Sequence, residues 1–255
     1  MKILITGAAG YLGTKITDYI LRNYNDIEIT GVDNFYHGNS RTIIPFLLNS
    51  RYTFIKQDLL DYSKYAKLNL HSFDIVLPLA ALVGFPICED HSHYSYQINF
   101  DSIQVLIQNL NPKTLVIYPN SNSGYGTVPE GVICTEDRQL NPISFYGKTK
   151  MWAEEYIRKS YDNYIILRLA TVFGASFRPR NDLLVNNFVL KAMRDKYNVI
   201  YDGRAVRNYI HIGDIARAID HCITNRNKMV GNIYNVGNDS LNMNKLELAN
   251  KINDS

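Results

Sequence analysis

Tyr146 and Lys150 stand four residues apart in the stretch SFYGKTK, a spacing that puts both side chains on one face of a helix. An ammonium beside a phenol, helped by the positive ring of a nicotinamide, can draw its ordinary pKa of about 10 toward neutrality. A phenolate present near pH 7 is a workable base for a sugar hydroxyl. Ser121, in PNSNSGYG, is a hydroxyl that can hold the same reacting oxygen in line. Alone, the pair reads first as one face of an ordinary amphipathic helix, since the chain carries 19 tyrosines. The glycine-rich turn near the start of the chain changes that reading: Gly7, Gly10 and Gly13 form GAAGYLG. Glycines so spaced allow a tight turn, a close approach of backbone to a pyrophosphate, and an anion at the positive end of the next helix. Asp33 follows Gly13 by twenty residues, where a carboxylate accepts hydrogen bonds from both ribose hydroxyls and repels a 2′-phosphate. The cofactor called for is NAD rather than NADP.

These groups need a scaffold, and the hydrophobic pattern supplies one. Short apolar runs at residues 2–6, 27–33, 52–57, 73–78, 114–118 and 164–169 predict strands. They alternate with helical spacing over 11–23, 41–49, 62–70, 95–110 and 145–161, the pattern of a parallel sheet covered on both faces. The fold class expected is α/β, a Rossmann-type doubly wound parallel sheet, with residues 1–174 as an NAD-binding domain. Past Gly174 the regularity weakens. Helices near 183–195, 213–224 and 244–252 and strands near 198–201 and 232–235 read as a small C-terminal substrate lobe. It covers 175–255, with segments interleaved with the main domain.

Composition agrees. A chain of 255 residues, 46% hydrophobic and 20% charged, suits one large globular domain with an appendage and excludes disordered or repetitive sequence. No apolar run approaches the ~20 residues of a membrane span, and MKILITGAAG lacks the layout of a signal peptide, so a cytoplasmic location is expected. A net charge of +3 argues for neither nucleic acid nor membrane as partner. Cys88, Cys134 and Cys222 form no CxxC pair, and the six histidines form no HExxH, so neither disulfide nor metal is expected.

Taken together, the motifs resemble the extended short-chain dehydrogenase/reductases, specifically the NAD-dependent nucleotide-sugar epimerase/dehydratase family. GAAGYLG, Asp33, QDLLD around Asp58, LAA at Leu79, Ala80 and Ala81, the serine segment ending GYG, YGKTK, LRLATVFG and YNVG come in the family's order over nearly the whole chain. The resemblance implies that Tyr11 and Leu12 offer backbone to the pyrophosphate and that Asp33 and Asn34 hold the adenosine ribose. Asp58 and Leu59 would border the adenine, with Leu79, Ala80 and Ala81 on the inner ribose side. Ser121, Tyr146 and Lys150 would be the catalytic trio, Tyr146 and Lys150 also touching the cofactor. Ala170 and Thr171 would lie near the nicotinamide and the substrate. FRPRNDLLVNNF and GRAVRNYIHIGD resemble segments that hold a nucleotide diphosphate, which carries over to Asn186 and Arg207, with Arg178 and Arg180 next. His211 and Asp214 are expected to fix a loop and cap a helix rather than perform chemistry.

Departures from the family pattern sharpen the expectation. Pro78 stands where a histidine is usual. Members that eliminate water carry an acidic pair directly after the catalytic serine or threonine, whereas Asn122 and Ser123 follow Ser121 here, so sugar dehydration is disfavoured. Relatives commonly continue well past the segment resembling KLELANKI, while this chain stops at Ser255, so the lobe is expected to be naturally short or truncated. The activity implied is epimerisation of a nucleotide-diphosphate sugar, at carbon 4, through a transient ketone. The alternatives are a nucleotide-sugar dehydrogenase or ketoreductase with net hydride transfer and, behind these, a noncatalytic NAD-binding protein. A homodimer is compatible with the resemblance.

Overall fold

Strand β1 (Lys2–Thr6) sends Ile3 and Ile5 to one side of a sheet and Leu4 to the other, and all three are fully buried. A strand apolar on both faces belongs inside a sheet covered on both sides. The computed structural model describes residues 1–129 and 131–254. After β1 come α1 (Tyr11–Asn23), β2 (Glu28–Asp33), β3 (Tyr52–Lys56), β4 (Ile75–Pro78), α2 (Phe85–Asp90), α3 (Ser92–Tyr96), α4 (Ser102–Gln108), β5 (Leu115–Ser121), α5 (Phe145–Ser160) and β6 (Tyr164–Leu169). Then follow β7 (Thr171–Phe173), α6 (Leu184–Asp195), β8 (Arg207–His211), α7 (Ile212–Thr224), α8 (Arg226–Met229), β9 (Asn232–Val236), β10 (Asn242–Met243) and α9 (Lys245–Asn253).

The main sheet has seven strands in the order β3-β2-β1-β4-β5-β6-β9, every pair parallel. On one face, Ile16 and Ile20 of α1 and Ile215 and Ile219 of α7 pack on Ile3, Ile5, Ile75 and Ile117. On the other, Ile103 and Leu106 of α4 and Ala153 and Ile157 of α5 pack on Leu4, Val76, Val116 and Ile166. The strand order reverses at β1, flanked by β2 and β4, so a crevice opens at the carboxyl ends of β1 and β4. The doubly wound expectation holds.

A second sheet, β10-β8-β7, has its own small core of Val185, Phe188, Tyr209, Met243 and Leu248. It grows directly out of the first, because β6 ends at Leu169 and β7 begins at Thr171. Helix α7 and strand β9 lie with the main sheet.

Three local expectations fail for physical reasons. The helix expected over 41–49 is a 3-10 segment, Ser40–Phe46, containing Pro45, whose ring removes a backbone donor. The helix expected over 62–70 is likewise 3-10, Tyr62–Leu68. Residues 198–201 form no strand. Val199 and Tyr201 are exposed there, and the segment joins neither sheet.

Candidate active site

The glycine-rich turn lies where β1 passes into α1. Gly7 has φ +68°, and a Cβ there would stand 2.7 Å from the backbone nitrogen of Ala80. A Cβ on Gly13 would run into the Gly7 carbonyl oxygen. Only glycine permits this turn and this approach of helix to strand. The first turn of α1 has no side-chain cap, and Gly10 is its N-cap, so its free backbone donors suit an anion. Tyr11 and Leu12 stand in that turn, and the Tyr11 hydroxyl donates to the Gly174 carbonyl at 2.7 Å.

At the end of β2, the Asp33 carboxylate accepts from the backbone N–H of Ala9 at 3.0 Å and of Phe35 at 2.8 Å. Burial raises its pKa, against the lowering effect of those two donors. Asn34 donates to Asp58 at 2.9 Å, tying the expected ribose side to the expected adenine side. Leu59 is buried next to Asp58. After β4, Leu79 N–H donates to the Thr6 carbonyl at 3.1 Å and Ala80 N–H to the Thr6 hydroxyl at 3.3 Å. That places the LAA segment, with Ala81, against the rim of β1. The glycine cradle and the carboxylate at the end of β2 fit a dinucleotide.

Ser121 ends β5, and its hydroxyl is 2.9 Å from that of Ser123 and accepts from Ser123 N–H at 3.1 Å. Tyr146 lies in the first turn of α5, where Ser144 caps the helix by accepting from Gly147 N–H at 3.1 Å. The structure brings the Ser121 side chain close enough to the Tyr146 phenol to act on its proton affinity. Burial pushes the phenol up to about 12, with nearby Cys88 adding to the rise and Ser121 and Arg180 opposing it. The expectation that Lys150 draws this phenol toward neutrality does not hold for the chain by itself. The ammonium of Lys150 instead donates to the Pro119 carbonyl at 2.9 Å and lies 4.0 Å from the centre of the Tyr118 ring. Burial lowers Lys150 to about 7, while Glu154, one turn further along α5, raises it. Loss of water outweighs charge pairing at both groups.

On the substrate side, Ala170 is buried and donates its N–H to the Val236 carbonyl at 2.9 Å, and Thr171 opens β7. Asn186 spans the loop above them, accepting from Gly174 N–H at 2.9 Å and donating to the Arg180 carbonyl at 3.0 Å. Its amide is thus occupied in shaping the loop that carries Arg178 and Arg180. Arg180 pairs with Asp182 at 2.5 Å. Thr171 pairs with Tyr209 in the β7–β8 register, so the exposed Arg207, two residues earlier, is level with the end of β6. His211 caps α7 by accepting from Gly213 N–H at 3.2 Å, and Asp214 pairs with Arg217.

Several supporting residues carry no sequence motif. Asn99, in a π-helical turn between α3 and α4, grips Leu82 by accepting from its N–H at 2.8 Å and donating to its carbonyl at 3.0 Å. The same amide donates to Thr149 at 3.1 Å, so it joins the loop after β4 to the helix of Tyr146. The π turn was the available signal only in three dimensions, since such bulges mark functional segments. Among the described residues no group of His, Cys, Asp and Glu could hold a metal ion. None of the described helices is long and apolar enough to cross a membrane.

Residues 3–237 match the family model described as the NAD dependent epimerase/dehydratase family. The chain belongs to that family. As a member, this epimerase/dehydratase homologue is an NAD-dependent protein with the fold of its relatives. It is 28% identical over 238 residues to a putative UDP-glucose 4-epimerase of Methanocaldococcus jannaschii, spanning 89% of this chain and 75% of that one. A UDP-glucuronic acid 4-epimerase from Bacillus cereus, solved with UDP-glucuronic acid and NAD, superposes with a TM-score of 0.85 at 27% identity over 100% of this chain and 82% of that one. A dTDP-glucose 4,6-dehydratase from Streptomyces venezuelae shares the fold, with a TM-score of 0.86 at 23% identity over 100% and 80% of the two chains.

Proposed function

We propose that this chain is an NAD-dependent nucleotide-sugar epimerase acting at carbon 4. The observation that carries the reading is the juxtaposition of Ser121, at the end of β5, with Tyr146, at the start of α5, on the same carboxyl edge of the sheet as the glycine cradle. Gly7, Gly10, Tyr11, Leu12 and Gly13 hold the pyrophosphate, Asp33 and Asn34 the adenosine ribose, and Asp58 and Leu59 the adenine. Leu79, Ala80, Ala81 and Ala170 line the nicotinamide end, and Lys150 takes the nicotinamide ribose. When bound, NAD supplies the acceptor of the carbon-4 hydride and a cationic ring beside the phenol.

Tyr146, in its ionised form, takes the proton of the sugar's 4-hydroxyl, and Ser121 holds that oxygen in line. The proton would stay on the phenol Oη while the ketone turns within the site, and Tyr146 would return it to the same oxygen. A phenol that burial holds protonated suits the second half of that cycle, whereas ionisation for the first half needs added positive charge. Residues 175–255 mainly hold the substrate, with Thr171 near the sugar and Asn186 and Arg207 toward the nucleotide diphosphate. Arg207 suits an anion because a guanidinium offers paired donors to phosphate. Asn122 and Ser123 bring no acid or base pair, which supports epimerisation over dehydration. The sequence similarity to 4-epimerases supports the same choice.

The test is incubation with UDP-glucose, UDP-galactose and UDP-glucuronate without added cofactor. Epimer formed with no net NADH is the expected result. NADH rising in proportion to product would transfer the assignment to a dehydrogenase.

The reading includes a cytoplasmic enzyme that pairs with a second copy of itself. Tyr96, Phe100, Trp152 and Tyr156 form an aromatic groove across α3, the π-helical turn after it and α5, edged by Glu155 and Lys159. A two-fold axis through that groove can set the acid of one copy against the base of the other. Light scattering at twice the chain mass, reduced to one by Trp152→Glu, is the expected outcome.

A further inference from the structure

Tyr118 belongs to none of the motifs of the sequence, yet it lies directly under the reacting groups. It stands on β5 three residues before Ser121 and is fully buried. The Lys150 ammonium sits 4.0 Å from the centre of its ring and is fixed there by the 2.9 Å hydrogen bond to the carbonyl of the next residue, Pro119. The hydroxyl of Tyr118 has no hydrogen-bond partner. A buried unpaired hydroxyl is unfavourable, so the polar end of this side chain does not account for its place, and the ring face does.

We propose that Tyr118 is a positioning residue for Lys150, the face of its ring holding the ammonium in place and favouring its charged form at the nicotinamide end of the cofactor cleft.

The surroundings of Lys150 explain why a ring is needed. Along α5 the charge acting on it is Glu154; on β5 it meets the Tyr118 ring and the Pro119 carbonyl. Glu154 is already committed, since Arg168 on β6 donates to both of its carboxylate oxygens and Asn120 on β5 donates to one of them. Cys88, on α2, acts on Tyr146 rather than on the lysine. Beside the Pro119 carbonyl, the negative face of the aromatic ring is therefore what attracts this buried ammonium directly. Burial brings Lys150 to about 7, so near neutral pH a modest change in the ring changes how much of the lysine is charged.

The inference rests on Lys150 serving the proposed reaction, and one experiment separates the two. In the full chain, Tyr118 is replaced by phenylalanine and by phenylalanines carrying successively more fluorines, which weaken the negative ring face at nearly constant volume. The ionisation midpoint of Lys150 is read by NMR of 13C-labelled lysine, with Lys150→Met identifying the signal, and the pH profile of epimerisation is measured alongside. Tyr118→Phe should leave the midpoint in place, and fluorination should lower it stepwise, by about one pH unit at full substitution, with the pH profile following. A midpoint that stays fixed across the series overturns the inference. A midpoint that moves while the pH profile does not supports the ring contact and overturns the role of Lys150 in the reaction.

Discussion

Glu154 and Arg168 form an ion pair sealed inside the protein, with 1% and 3% of their side chains exposed and hydrogen bonds of 2.6 and 3.2 Å between them. The pair joins α5 to β6. Through Asn120, whose side-chain Nδ2 donates to Glu154 and whose side-chain Oδ1 accepts from Ser121 N–H at 2.8 Å, it also reaches the end of β5. Arg168 continues the network to the Tyr125 hydroxyl at 2.8 Å and the Glu136 carbonyl at 2.9 Å. Removing one partner strands the other charge in the interior. Glu154→Ala is expected to lower stability by about 3–5 kcal/mol, and replacing both residues by Met or Leu to lower it less than the single change. Urea unfolding of the three proteins measures this.

Turnover should divide cleanly between the two hydroxyl groups of the site. Tyr146→Phe removes the group that carries the proton and should reduce kcat by at least about 10²–10⁴-fold while leaving NAD affinity within a few fold. Ser121→Ala removes one donor to the reacting oxygen and should reduce kcat by about 10²-fold with little change in KM. Steady-state kinetics with cofactor titration distinguish both from misfolding.

Stability should depend on pH through Lys150 in a definite direction. Burial lowers the folded lysine from its ordinary 10.5 to about 7, so between those values the unfolded chain binds a proton that the folded chain has released. Stability of the cofactor-free protein from this group therefore rises with pH across that window, with a slope of at most about 1.4 kcal/mol per pH unit. Lys150→Met should flatten the rise. Tyr146 acts oppositely and later: raised from 10.0 to about 12, it keeps a proton that the unfolded chain loses, so its contribution falls as pH climbs through that range. Unfolding free energies at a series of pH values check both signs.

Cofactor choice should follow the carboxylate at the end of β2. Asp33→Ser removes the proposed acceptor for the ribose hydroxyls and should weaken NAD by about ten- to a hundredfold, while NADP, no longer repelled, should bind comparatively better. Identification of the nucleotides released on denaturation, with affinity titrations of both dinucleotides, checks the change.

Local pattern alone determined the doubly wound sheet and the cofactor cradle. Apolar strands alternating with amphipathic helices have few ways to bury both faces of a sheet, and glycines at 7 and 13 leave room that no side chain could share. The small lobe was less legible. Strands β7 and β8 pair with each other, whereas the apolar run at 198–201 is irregular and pairs with neither sheet. The residue types of the proposed catalytic trio stand out in the sequence, but their proton affinities do not. Periodicity shows which residues share a helix face, whereas only packing shows that Lys150 turns onto Tyr118 and Pro119 and that Tyr146 loses its water. Desolvation is a property of everything that surrounds a group, and neighbours such as Cys88, Glu154 and Arg180 come from distant parts of the chain or from another turn of the helix. Their effect on the site therefore exists only once the chain has folded.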